Sequence, residues 1–331
     1  MKKIVSFFGD RNAIFEKLNR RAEEYAAGLG FAYEWAPQLP FSQEDVVRRL
    51  QDSDIGIIDI EPYGEDIFKE ICQRTSLLVR FGVGYDKVDL EAATRYGIAI
   101  ARTTGANAMA VAEIALTMIL MARRNILRFR TCMETGVWKK RISNETSGGT
   151  LGILGFGYVG QLLTKLAQGI GCTVIAYDPY PNLQAAEELH VKLVGIDELF
   201  QQSDAISVHV PYCPDTHHMV NAERLSMMKS NAVIVNTSRG GIVDEEALYQ
   251  ALASGQIAGA GLDVFAQEPL PTDSPLLKLD NIVLTPHIAS QTEESLWNIY
   301  KTAIDIAADF CQGKDSPHIL NPEYKKHKAG R

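Results

Sequence analysis

Three segments in the second half of the chain carry side chains able to move a proton or hold an anion. Val235-Asn236-Thr237-Ser238-Arg239-Gly240-Gly241 closes an apolar run with an arginine and two glycines. Gly261-Leu262-Asp263-Val264-Phe265-Ala266-Gln267-Glu268-Pro269 closes another with two acids, and Leu284-Thr285-Pro286-His287-Ile288-Ala289-Ser290 closes a third with a histidine. An imidazole titrates near neutrality, so it can give or take a proton in either direction of a reaction. A neighbouring carboxylate fixes its tautomer and stabilises imidazolium. A guanidinium offers a planar fork to an anionic carboxylate, which a lysine does not reproduce. Singly, each has a bland explanation: a locally satisfied histidine, a surface acid, a salt-bridged arginine. Three together at consecutive strand ends point to chemistry, because open α/β sheets bind ligands beyond the carboxyl ends of their strands.

Upstream lies Leu151-Gly152-Ile153-Leu154-Gly155-Phe156-Gly157-Tyr158-Val159-Gly160, a G-x-G-x-x-G pattern between an apolar strand and a helical run. Gly155 permits the tight turn, Gly157 lets backbone approach a pyrophosphate, and Gly160 lets helix pack on strand. The following helix start presents unpaired N–H groups to phosphates. The next strand, 173–177, ends at Asp178, near the offset expected for an acid that bonds both ribose hydroxyls. Such an acid repels a 2′-phosphate, so the pattern favours NAD over NADP.

These residues need a scaffold, and the rest of the chain supplies its outline. Strand-like runs at 4–8, 31–35, 55–60 and 77–79 alternate with amphipathic segments at 13–27, 43–51 and 63–72, which predicts βα units around a parallel sheet. A helix over 107–126, apolar on most faces, suits burial or a subunit interface. A polar loop follows over 136–149. A second alternating series begins at Thr150, with strands at 151–154, 173–177, 205–210, 232–236, 259–262 and 282–285. A helix over 293–311 and a polar tail over 325–331 close the chain. The 331 residues, 46% hydrophobic and 22% charged, suit two doubly wound α/β domains. A net charge of −8 opposes a general affinity for nucleic acid or anionic membrane. No stretch reads as a secretion signal or a membrane span. The five cysteines are scattered without Cys-x-x-Cys, so thiols in a reducing cytoplasm are expected. The sequence shows no metal-ligand cluster.

As a set, these motifs resemble the D-isomer-specific 2-hydroxyacid dehydrogenases, a family that includes phosphoglycerate, glyoxylate/hydroxypyruvate and D-lactate dehydrogenases. The resemblance spans nearly the whole chain. It takes in Arg80-Phe81-Gly82-Val83-Gly84-Tyr85-Asp86-Lys87-Val88-Asp89, Val111-Ala112-Glu113 and Trp138, as well as the segments above. It implies two Rossmann-like domains, with an NAD domain (about 105–291) inserted into a flavodoxin-like substrate domain (about 1–104 plus 292–331). It implies hydride transfer between nicotinamide and C2 of a small 2-hydroxy or 2-keto acid. His287 is then acid/base, Glu268 its partner, and Arg239 the substrate clamp. The Gly82-Val83-Gly84 turn would form a small anion nest, with Val83 and Gly84 at the substrate carboxylate. Asp263 would lie near the nicotinamide carboxamide. Val210, Pro211, Thr216, Thr237, Ser238 and Ser290 would line the cofactor, with Asn107 and Val111 bordering the nicotinamide or substrate. A homodimer through the cofactor domain is also implied.

Where many relatives carry Arg or Lys followed by Ile, this chain has Tyr158-Val159, which removes a side-chain contact to pyrophosphate but keeps both residues at the cofactor through their backbone; Ala289 replaces a common glycine. The segment Glu61-Pro62-Tyr63-Gly64-Glu65-Asp66 sits where relatives choose their substrate. It is acidic and lacks arginine, which argues against a phosphorylated substrate. Against that, the stretches 80–89 and 104–113 resemble phosphoglycerate dehydrogenases more than D-lactate ones. Arg102 could reach a phosphate, as could Lys139, Lys140 or Arg141 from a partner subunit. An alternative reading is an NAD(H)-sensing, corepressor-like binding protein on the same fold.

Overall fold

The structure, a computed structural model, describes residues 1–327. Within them the chain divides into two compact units, Met1–Asn107 with the chain from Gln291 onward, and Ala108–Ser290. The described part of the expected polar tail, 325–327, ends a short 3₁₀ turn, Pro322–Lys326; residues 328–331 lie outside the described residues.

The first unit is built on strands β1 (Lys2–Ser6), β2 (Phe31–Trp35), β3 (Ile55–Ile58), β4 (Leu77–Arg80) and β5 (Ala99–Arg102), all parallel in the order β2-β1-β3-β4-β5. This is the flavodoxin-like order. Its inner strands read as unbroken apolar runs because both faces are covered. Ile4, Ile57 and Val79 pack beneath helices Ala13–Gly28 and Glu293–Cys311, whereas Val5, Ile58 and Leu78 pack on the other face with Val46, Ile67 and Ala92. Both long helices begin at side-chain caps: Asn12 accepts from the N–H groups of Ile14 and Phe15, and Thr292 from that of Ser295. The returning helix Glu293–Cys311 buries Leu296, Ile299, Tyr300 and Ala303, so the end of the chain completes the core that its beginning opens.

The second unit holds strands β6 (Thr150–Leu154), β7 (Thr173–Tyr177), β8 (Lys192–Leu193), β9 (Ala205–Val208), β10 (Val233–Asn236), β11 (Gly259–Leu262) and β12 (Ile282–Leu284). Their parallel order is β12-β11-β10-β9-β6-β7-β8. Counting from β6, this is the Rossmann order 3-2-1-4-5-6 with one further strand at the edge. The order reverses between β6 and β9, and β10, β11 and β12 lie side by side.

The helix expected over 107–126 is Ala108–Arg123, and a second helix that was not foreseen, Ile126–Glu134, follows it. Asn125 breaks them in the left-handed conformation, φ 53°, which asparagine tolerates better than most residues. Strands β5 and β8 were not foreseen, and the expected run 205–210 stops at Val208.

Candidate active site

The carboxyl ends of β10, β11 and β12 carry the three chemical segments on neighbouring strands. His287 follows β12 with φ 54°, a backbone region that costs an ordinary residue about 1–2 kcal/mol. Asp263, just past β11 and fully buried, holds it there. Asp263 Oδ1 accepts from the N–H of Ile288 at 2.8 Å and from the Thr285 hydroxyl at 2.5 Å, and Oδ2 accepts from the N–H of Ala289 at 2.9 Å. The His287 N–H donates to the Asp263 carbonyl at 2.8 Å. Bonds to a charged acceptor contribute about 1.5–3 kcal/mol each, so together they outweigh the strain. Asp263 was expected beside the carboxamide of the cofactor; its carboxylate also anchors the histidine loop.

The imidazole meets Glu268 through Nδ1 to Oε2 at 2.9 Å. The other carboxylate oxygen accepts from the N–H of Phe265 at 3.0 Å, so the acid is itself fixed. An ionised Glu268 accepts a proton-bearing Nδ1, which leaves Nε2 for a substrate. Both side chains are well exposed, 46% and 38%. A pair so exposed adds at most about 1 kcal/mol to folding, so stability does not account for it.

Arg239 follows β10 through a turn set by Asn236, which is fully buried. Its side-chain amide donates to the Arg239 carbonyl at 2.8 Å and accepts from the N–H of Ser238 at 3.0 Å. The next residue must be glycine: a Cβ on Gly240 would stand 1.8 Å from the backbone carbon of Phe265. The arginine segment is therefore pressed against the loop that carries Glu268. Asn236, Thr285 and the anchoring role of Asp263 escaped the sequence reading; all lay inside the quoted segments, but their bonds are visible only in three dimensions.

The glycine turn lies at the switch point. Gly155 has φ 102°, and a Cβ there would come within 2.6 Å of the Val210 nitrogen; one on Gly160 would come within 2.5 Å of the Gly155 carbonyl oxygen. Gly157 caps the helix Tyr158–Gly169 without any side-chain hydrogen bond, and nothing lies within 4 Å of where its Cβ would be. A helix N-terminus left uncapped beside open space fits a pyrophosphate. Tyr158 is exposed and Val159 half-buried. Asp178 accepts from the N–H groups of Phe156 and Tyr180, both at 2.8 Å, so it also ties the turn to the end of β7. Across the switch point, Val210 is buried and Pro211 exposed, while the Thr216 hydroxyl donates to the Pro211 carbonyl at 2.7 Å. The Ser238 hydroxyl donates to the Val210 carbonyl. The Thr237 hydroxyl is buried and, among the described residues, has no partner, an orphan that a bound cofactor can satisfy. Ser290 is half-buried past the histidine loop. Among the described residues no His, Cys, Asp or Glu cluster suited to a metal is present.

In the first unit the 82–84 turn follows β4. The Gly82 N–H donates to the Thr103 hydroxyl at 3.0 Å, which removes it from any nest. Among the described residues the N–H groups of Val83 and Gly84 have no acceptor, so the expected nest narrows to these two.

A G-x-G-x-x-G turn at a switch point and a histidine–carboxylate pair at neighbouring strand ends define a dinucleotide-dependent oxidoreductase. The sequence profile of the D-isomer specific 2-hydroxyacid dehydrogenase NAD binding domain matches residues 116–289. The chain is 36% identical over 299 residues to a glyoxylate reductase of Korarchaeum cryptofilum, covering 88% of this chain and 90% of that one. It is 38% identical over 301 residues to a D-3-phosphoglycerate dehydrogenase of Methanocaldococcus jannaschii, covering 88% of this chain but only 56% of that protein. The solved structure of D-2-hydroxyisocaproate dehydrogenase superposes with a TM-score of 0.85 at 28% identity, covering 97% of this chain and all of that one. The chain belongs to the D-isomer-specific 2-hydroxyacid dehydrogenase family. It is an NAD-dependent oxidoreductase of that family, and its second unit is the NAD-binding domain.

Proposed function

We propose that this enzyme interconverts a small, unphosphorylated 2-keto acid, glyoxylate or hydroxypyruvate, with its D-2-hydroxy acid. The observation that carries the reading is the His287–Glu268 pair, 2.9 Å apart and half-exposed. Bound NADH supplies the hydride. His287 Nε2 delivers the proton that the C2 oxygen takes up on reduction, and removes it on oxidation. Glu268 holds the imidazole in the required tautomer and stabilises its charged form. Arg239 holds the substrate carboxylate, and the first unit, as the substrate domain, offers the N–H groups of Val83 and Gly84 to the same kind of group. Asp178 receives the adenosine ribose, and Thr237 and Ser238 line the dinucleotide.

NADH oxidation followed with glyoxylate, hydroxypyruvate, pyruvate and 3-phosphohydroxypyruvate tests the reading. Turnover with the first two supports it. Tight NADH binding with no turnover on any of the four would favour a nucleotide sensor instead.

A homodimer through the second unit is part of the proposal. Trp138 is 82% and Ile142 99% exposed, beside a groove of about 430 Å³ over Phe129, Cys132 and Met133. Exposed apolar surface of this kind favours association. A sedimentation mass of two chains that falls to one on Trp138→Ser would support it; a monomer at micromolar concentration would not. All five cysteines are free thiols, which supports work in a reducing cytoplasm. Among the described residues no helix is long and apolar enough to cross a membrane.

A further inference from the structure

We infer that Glu245 is a positioning residue for the proton-transfer pair: from the start of a helix it holds the loop that carries Glu268, and so sets where Glu268 meets His287. The inference rests on the proposed keto-acid reduction and deepens it by naming a residue on which the reactive geometry depends.

Glu268 lies on an exposed stretch, 266–269, beyond the end of β11. Water can serve the backbone of such a loop, so its place has to be fixed by specific contacts. Two successive N–H groups supply them. That of Phe265 donates to Glu268 Oε1 at 3.0 Å, a bond within the loop itself. That of Ala266 donates to Glu245 Oε1 at 2.5 Å, which ties the loop to a different part of the chain. The same peptide lies against Gly240, where a Cβ would stand 1.8 Å from the backbone carbon of Phe265 and 2.2 Å from the nitrogen of Ala266. The Phe265–Ala266 peptide is therefore packed on one residue and hydrogen-bonded by another.

The anchor is itself fixed. Glu245 opens helix Glu245–Ala253, and the N-cap residue Asp244 accepts from the Ala247 N–H at 3.0 Å. The backbone leading into the helix pairs with Val220, whose N–H donates to the Ile242 carbonyl at 3.0 Å and whose carbonyl accepts from the Asp244 N–H at 2.9 Å. Val220, Ile242 and Val243 are buried. Arg239 and Glu245 are only six residues apart, so one pinned segment carries the substrate clamp at one end and the anchor of the Glu268 loop at the other. A bond from an exposed N–H replaces one to water and adds little to folding. What the carboxylate adds is direction, and a displacement of about 1 Å at a reacting group lowers turnover on the order of 100-fold.

Two substitutions separate reach from charge. Glu245→Gln keeps an acceptor oxygen at full reach and removes the charge. Glu245→Asp keeps a charge at the helix start, where it is favoured, and draws the oxygen back by one methylene. With NADH and glyoxylate, kcat should fall about 10- to 100-fold in Glu245→Asp and stay within about threefold of the wild type in Glu245→Gln. KM for glyoxylate should change less than about threefold in both, because Arg239 is untouched. Glu245→Asp added to Glu268→Gln should slow that variant no more than about threefold further, since the contact it disturbs is already lost. Thermal melts report whether each variant folds; should Glu245→Asp not fold, kcat of Glu245→Gln decides. Wild-type kcat in folded Glu245→Asp, a loss of about tenfold or more in Glu245→Gln, or full multiplication of the two effects in the double variant overturns the inference alone. A wild-type enzyme that turns over no keto acid overturns the proposed reaction, and this inference with it.

Discussion

Replacing Asp263 with asparagine separates the holding of His287 from its chemistry. The carboxylate accepts three bonds from one loop, two on Oδ1 and one on Oδ2. Asparagine keeps one acceptor oxygen, so Thr285 and Ile288 retain a partner while the new amide faces the Ala289 N–H, donor against donor. One buried N–H left unsatisfied costs about 1–3 kcal/mol. Turning two charge-assisted bonds into neutral ones removes roughly 1 kcal/mol more. The variant should lose about 2–4 kcal/mol, which lowers the melting temperature by about 5–15 °C for a unit of this size. The strained His287 backbone then relaxes and the bond to Glu268 is lost. A displacement of about 1 Å at a reacting group lowers turnover on the order of 100-fold. Circular-dichroism melts, NADH titration and keto-acid turnover well below the melting point make the assay. NADH affinity should change little. Thr285→Val, which deletes a single donor, should lose only about 1 kcal/mol and keep turnover within about threefold. Wild-type turnover in an Asp263→Asn enzyme of lowered melting temperature would refute the reasoning, because the buried carboxylate would then act on stability alone.

Asp178→Ala should weaken NADH and narrow the preference over NADPH by about tenfold or more, since the same carboxylate repels a 2′-phosphate and ties the glycine turn; the ratio of the two Kd values checks it. Gly240→Ala should destabilise the protein by more than about 2 kcal/mol in urea titration, because its methyl group would overlap backbone at Phe265. Burial holds the His209 imidazole down to about 3 from its ordinary value of 6.5. The unfolded chain therefore takes up a proton below 6.5 that the folded chain refuses, so stability is full above 6.5 and is lost toward 3. Between pH 7 and pH 5 the loss from this one residue is about 2 kcal/mol at most. His209→Gln should flatten that slope by a similar amount, and an unchanged slope would show that the ring accepts its proton in the folded state.

The placement of the three segments was legible in the sequence because they sit at strand ends, where a change from apolar to polar residues marks the boundary. Glu268 and His287 are 19 residues apart, yet β11 and β12 are neighbours, so the resemblance that paired them agrees with the geometry. Asp263 was visible as an acid but not as an anchor, because its partners lie 22 to 26 residues away and two are backbone groups with no signature in residue type. The second short helix, Ile126–Glu134, was not foreseen because it mixes charged and apolar side chains and buries none of them, so no apolar face marks it in the sequence. β5 and β8 are short, at four and two residues, and owe their existence to pairing with β4 and β7, not to local propensity. Gly82 read as part of an anion nest, and only the structure shows its N–H bonded to Thr103.

The most direct measurement is single-turnover oxidation of NADH by His287→Gln with a saturating keto acid, alongside NADH binding to the same variant. Loss of the proton donor should slow the reaction by about 10²–10⁴-fold, with NADH bound as tightly as by the wild type. A His287→Gln enzyme that reacts at the wild-type rate would contradict the assignment of the imidazole as the acid and base of this site.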